Sequence, residues 1–95
     1  MKEHNTREIR AAAKKLDQIA DQLQSLKSSN ISQVSSGARA MKGDTESAIQ
    51  TQLNSLSNEI MYLKKSITNS AFALYEFARL LDIADEKAKS LIGSK

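Results

Sequence analysis

Apolar residues along this chain recur at alternating steps of three and four, in two blocks separated by a polar break. In the first block Ile9, Ala12, Leu16, Ile19, Leu23 and Leu26 form the stripe, widened on one side by Ala13 and Ala20. Lys14, Lys15, Asp17 and Asp21 fall away from its centre. That spacing gathers the apolar set on one face of an α-helix. Asn5 followed by Glu8 has capping-box spacing and predicts a helix start just beyond Asn5. The pattern weakens through "KSSNISQVSSGARA". There serine and asparagine side chains compete for backbone hydrogen bonds and Gly37 adds chain entropy. The first helix is therefore expected to fray between Asn30 and Ser36.

The second block is cleaner. Ile49, Leu53, Leu56, Ile60, Leu63, Ile67, Ser70, Leu74, Phe77, Leu81, Ala84, Ala88 and Leu91 keep the three-four alternation without a slip. A sustained heptad of this kind predicts left-handed coiled-coil packing. Asp44 is placed to cap the helix start and Gly93 to stop it. At 1.5 Å per residue this helix would run roughly 70 Å. No segment alternates with a period of two, so no strand is expected. The fold class is all-α: a two-helix antiparallel hairpin in one domain over residues 1–95. Its helices are expected at about 6–34 and about 44–92, with a loop at about 35–43.

Two helices alone leave apolar edges in water, and a chain this short resolves that most simply by dimerising into a four-helix bundle. The partner is either a second copy or a related helical-hairpin protein. Leu56, Leu63, Ile67 and Leu74 are the centre of the expected dimer seam. Met61, Phe72, Tyr75 and Ile83 sit at outer heptad positions. They read either as a surface for a further helical protein or as ordinary exposed apolars.

Composition sharpens this picture. The chain has 95 residues, 40% hydrophobic but only 4% aromatic, so its core must be aliphatic. It has no proline, which permits long helices, and no cysteine, which removes disulfides, thiol nucleophiles and cysteine-held zinc. No apolar run approaches the eighteen or so residues of a membrane span. "MKEHNTREIR" lacks the apolar stretch of a cleavable secretory signal. Cytoplasmic residence is expected, unless export uses a route that reads no such signal. The net charge of +3 raises the question of nucleic acid. Yet Lys14, Lys15, Arg39, Lys42, Lys64, Lys65, Arg79, Lys87 and Lys89 are interspersed with acids and no aromatics interleave them, so nucleic-acid binding is not expected.

Catalysis finds little support. His4 is the only histidine and lies near the N-terminus, where a solvated or capping role is expected. No second histidine or cysteine completes a metal site, no glycine-rich loop cradles a phosphate, and the acids lie on solvated helix faces. Neither an enzyme nor a cofactor is expected.

The break itself, "MKGDTESAIQTQL", places Met41, a spacer and Gly43 directly before helix-start chemistry. Gly43 permits a backbone conformation that other residues resist, and Asp44 offers its carboxylate to the first amides of the next helix. Met41 is expected to fold over the end of the hairpin and cover the seam.

A chain of this length with a bulky-x-Gly turn between two helices resembles the WXG family, the small Esx-like, ESAT-six-like proteins of bacterial type VII secretion. Met41 stands in the place of the family's tryptophan and Gly43 in that of its glycine. The family also carries a tyrosine, three residues and an acid near the end of the second helix. In "LDIADEKA" Leu81 takes the tyrosine place and Asp85 retains the acid. The resemblance spans the whole chain, though both aromatic landmarks are missing. It implies a non-enzymatic protein, cytoplasmic before export and then secreted through type VII secretion without a cleavable signal. It further implies association with the export ATPase and, as in divergent relatives lacking the tryptophan, with an LXG-domain toxin. Leu81 and Asp85 become candidate export-signal residues, Asp85 as a solvent-facing carboxylate for a basic pocket. The alternative is a cytoplasmic coiled-coil adaptor or structural protein with no export role.

Overall fold

Polar residues in the first block do not end the helix; they widen it. The computed structural model describes residues 3–93, and every regular element among them is helical. α1 spans Glu3–Ser25, a π-helical turn spans Leu26–Ile31, α2 spans Ser32–Ala38 and α3 spans Gly43–Gly93. α1 begins at Glu3, so Asn5 lies inside the first turn rather than in front of it. The segment expected to fray stays helical to Ala38, and the connection shrinks to residues 39–42.

The π-helical turn has a clear consequence for packing. Upstream, the most covered positions alternate by three and four: Thr6, Ile9, Ala13, Leu16, Ala20, Leu23. Across the turn they step by four each time, through Lys27, Ile31 and Ser35, before Ala38 restores a step of three. One extra residue is thus absorbed in the wide turn, which keeps Ile31 and Ala38 on the covered side.

The connection tightens as it leaves α2. Arg39 N–H donates to the Ser35 carbonyl at 3.3 Å, then Ala40 and Met41 donate three residues back, to Gly37 and Ala38, at 3.2 and 2.9 Å. Lys42 and Gly43 then both take left-handed backbone, with φ of 57° and 67°. Glycine adopts this at no steric cost, whereas Lys42 carries a Cβ into it. Asp44 and Glu46 lie in the first turn of α3, where the helix dipole favours acids.

The chain forms two compact units. One joins Met1–Gln18 to Thr68–Lys95, the other is Ile19–Ile67. In the first, the terminal unit, the buried side chains are small: Thr6, Ala13, Ala71 and Ala78. Arg10 pairs there with Asp82, and Thr6 also hydrogen-bonds Asp82, which satisfies the one polar residue in this buried set. In the second, the loop unit, Ala20, Ala38 and Ile60 are buried. Lys64 Nζ donates to Gln24 Oε1 at 2.9 Å, Ser35 Oγ to Gln50 Oε1 at 2.9 Å, and Gln50 Nε2 to the Ser35 carbonyl at 3.1 Å. As the first partner advances from 24 to 35 the second retreats from 64 to 50, so the two arms of this unit run antiparallel.

Candidate functional site

The expected seam of α3 consists of two columns, and the structure treats them differently. Leu53, Ile67, Leu74 and Leu81 are half-buried and Ile60 is buried. Leu56, Leu63 and Phe77, the other column, are exposed by 44%, 48% and 52%. The position of most complete burial lies instead on the far side of the first column, at Ala71 and Ala78. α1 follows the same rule. Ile9, Leu16 and Leu23 are half-buried, Ala13 and Ala20 are buried, and Ile19 and Leu26 are each 41% exposed. Each helix therefore turns half of its apolar stripe toward its neighbour, together with alanines at 13 and 20 on α1 and at 71 and 78 on α3. The other half of the stripe faces outward.

Packing physics explains the choice. Alanine at seven-residue spacing lets two helix backbones approach more closely than leucine does, and every atom along the contact gains dispersion partners. Two stripes of large residues meeting head-on would hold the helices further apart. The expected dimer seam of Leu56, Leu63, Ile67 and Leu74 is thus divided: Ile67 and Leu74 serve contacts within the chain, and only Leu56 and Leu63 face outward.

Within the loop unit the outward residues form one edge. In both helices the exposed column lies three residues after the half-buried one, and in an antiparallel pair that shared offset places both columns on the same side. Ile19 and Leu26 of the first arm accordingly flank Leu56 and Leu63 of the second. Gln24 and Lys64, which bridge the arms, lie on the opposite edge. One edge is polar and tied; the other is aliphatic and open.

The four outer apolars are all exposed, but they are not one group. Met61 lies in the loop unit, and Phe72, Tyr75 and Ile83 in the terminal unit. Phe72 and Tyr75 are neighbours on one helix face, and Ile83 follows on that face only after an ion pair. There Arg79 donates to Glu76 at 3.0 and 3.2 Å. Hydrogen bonding to Arg79, then its charge, holds the Glu76 carboxyl below its ordinary value. The apolar face is interrupted by charge. Tyr62, Leu80 and Val34 are also exposed large residues that heptad counting did not single out.

At the tail, Leu81 and Asp85 are both half-buried, one turn apart. Asp85 lies on the column of Ala71 and Ala78, is engaged with a partner and remains partly exposed. At the turn, Met41 is 60% exposed and does not cover the seam. Gly43 does adopt the left-handed conformation that its place requires. The His4 side chain lies outside the described residues. Among the described residues no helix is long and apolar enough to cross a membrane, and no three His, Cys, Asp or Glu are grouped to hold a metal ion. No protein-family model, curated protein or solved structure matches the chain.

Proposed function

We propose that this chain is a non-enzymatic helical association protein that completes its core with a second hairpin, its own copy or a related one, in a four-helix bundle. The observation that carries this reading is the open aliphatic edge of Ile19, Leu26, Leu56 and Leu63 in the loop unit. The edge is continuous across two helices, whereas isolated exposed apolars scatter. Its role is best read as that of a WXG-like partner in type VII secretion, either exported itself or carrying an LXG-domain toxin to the export ATPase. The left-handed glycine that opens α3 supports that assignment.

A second reading, a cytoplasmic coiled-coil adaptor, is favoured by one specific observation. Asp85 is half-buried and engaged, which leaves Leu81 and Asp85 less of an accessible recognition element.

The test begins with Leu56→Glu/Leu63→Glu. Each leucine is already about half covered, so completing its burial contributes about 1 kcal/mol, and a glutamate there adds the cost of desolvating a carboxylate. Sedimentation velocity should show a fully helical monomer where the unaltered chain is an oligomer. An unchanged oligomer sinks the association reading. Blotting culture supernatants with and without an active type VII ATPase then separates the two roles: ATPase-dependent appearance supports export, and retention in the cell supports the adaptor.

A further inference from the structure

Besides the aliphatic edge, the loop unit holds an open pocket of about 350 Å³ between the π-helical turn with α2 and the first third of α3. Its walls are unlike the rest of the contact. Five serine hydroxyls and three carboxamides line it, against only two aliphatic side chains, Ile31 and Leu53. Its only charged residues are Lys27 and Arg39, and no acid lines it. Neither cation makes an ion pair among the described residues. Lys27 is moreover half-buried, so its stem is covered along the wall while its ammonium remains available to an anion in the pocket.

Lys27 continues the column of Ala13 and Ala20 at seven-residue spacing, and the wide turn then brings Ile31 and Ser35, rather than Asn30 and Val34, to the covered side. The Ser35–Gln50 hydrogen bonds then span the arms and hold this wall in place. Its volume is at the lower end of the roughly 300–1,000 Å³ typical of small-ligand sites.

We propose that this pocket binds a small phosphorylated polyol, such as a sugar phosphate. The phosphate supplies the counter-charge that Lys27 and Arg39 lack, through charge-assisted hydrogen bonds. The hydroxylated body matches walls rich in groups that both donate and accept. A flat aromatic ligand would find almost no apolar surface to lie on. This inference does not depend on the association reading, because the pocket and the aliphatic edge use different side chains.

The experiment titrates the full-length, isotope-labelled chain with glucose 6-phosphate, inorganic phosphate and glucose, following backbone amides by NMR. Glucose 6-phosphate should produce saturable shifts confined to residues 24–39 and 50–57, phosphate a weaker response at the same amides, and glucose none. Arg39→Gln, at an exposed side chain whose loss spares the fold, should weaken binding about tenfold, and Lys27→Gln/Arg39→Gln should abolish it. Lys14→Gln/Lys15→Gln, in the terminal unit, should leave it unchanged. No saturable shift by about 10 mM overturns the proposal, as does equal weakening by the Lys14/Lys15 variant, which would show attraction to net charge alone. Phosphate binding as tightly as glucose 6-phosphate would refute recognition of the polyol, and equal binding of glucose would refute recognition of the anion.

Discussion

The terminal unit and the loop unit share one heptad phase on α3, yet their inner columns differ in kind. In the terminal unit the column holds Ala71 and Ala78, both buried, facing an α1 that contributes Thr6 and Ala13. In the loop unit the same column holds Gln50, Ser57 and Lys64, all half-buried. Alanine closes the contact, whereas Gln50 and Ser57 place polar groups on it and line the pocket. Size and polarity at one repeated position, rather than overall hydrophobicity, thus set where this pair of helices closes and where it stays open.

The largest test of that comparison exchanges size between the two regions. Ala78→Leu forces extra methylenes into a closed contact and should cost about 1–3 kcal/mol. Ser57→Leu extends into the pocket, where there is room, and should be neutral or stabilising. Thermal melts of the two variants should move in different directions; equal losses would mean that the loop unit is packed as tightly as the terminal one.

Backbone strain gives the next effect, confined to the loop unit. Lys42→Gly relieves a side-chain-bearing residue in left-handed backbone and should stabilise by about 1 kcal/mol, whereas Gly43→Ala should destabilise by about the same amount. Gly37 is different. It lies within α2, and the space that an added methyl group would occupy is open. Gly37→Ala should therefore raise stability by about 0.5–1 kcal/mol through helix propensity. Denaturant melts rank the three, and a destabilised Gly37→Ala would show that the loop unit depends on bending there.

The smallest effect is electrostatic and belongs to the terminal unit. Hydrogen bonding to Arg10 holds the Asp82 carboxyl below its ordinary value of 3.8, and Thr6 and the Arg10 charge add to this against some desolvation. A carboxyl depressed in the folded state binds protons more readily when unfolded. Its contribution is therefore present above about pH 4 and is lost as pH falls through the lower folded value. Because the pair is exposed, the change should be slight and should shrink in high salt. Asp82→Asn should flatten this part of the stability profile; an unaltered acid limb would place its origin elsewhere.

How much was legible in the residues follows the strength of each local signal. Two helical blocks, their all-α class and the break at Met41–Gly43 were written in periodicity and in one glycine, and the left-handed Gly43 appears where expected. The π-helical turn was not legible. Serine and asparagine signal weak helix equally whether the outcome is fraying or widening, and only contacts with α3 decide between them. Nor was the split of the seam. Counting apolar residues ranks Leu56 and Leu63 beside Ile60 and Ile67, because hydrophobicity carries no information about which neighbour a stripe meets. The alanines at 13, 20, 71 and 78, seven apart within each pair, were a usable signal of close approach that large-residue counting passes over.

By itself, then, the sequence determined what is local: helix, turn, and a broad apolar face on each arm, because backbone hydrogen bonding and side-chain periodicity act within a few residues. Which half of each face is covered, that Asp85 is engaged while Met41 is exposed, and that Lys27 and Arg39 line an acid-free pocket were decided only by tertiary structure. Those outcomes depend on the distance between two helix backbones, and that distance is set jointly by residues tens of positions apart.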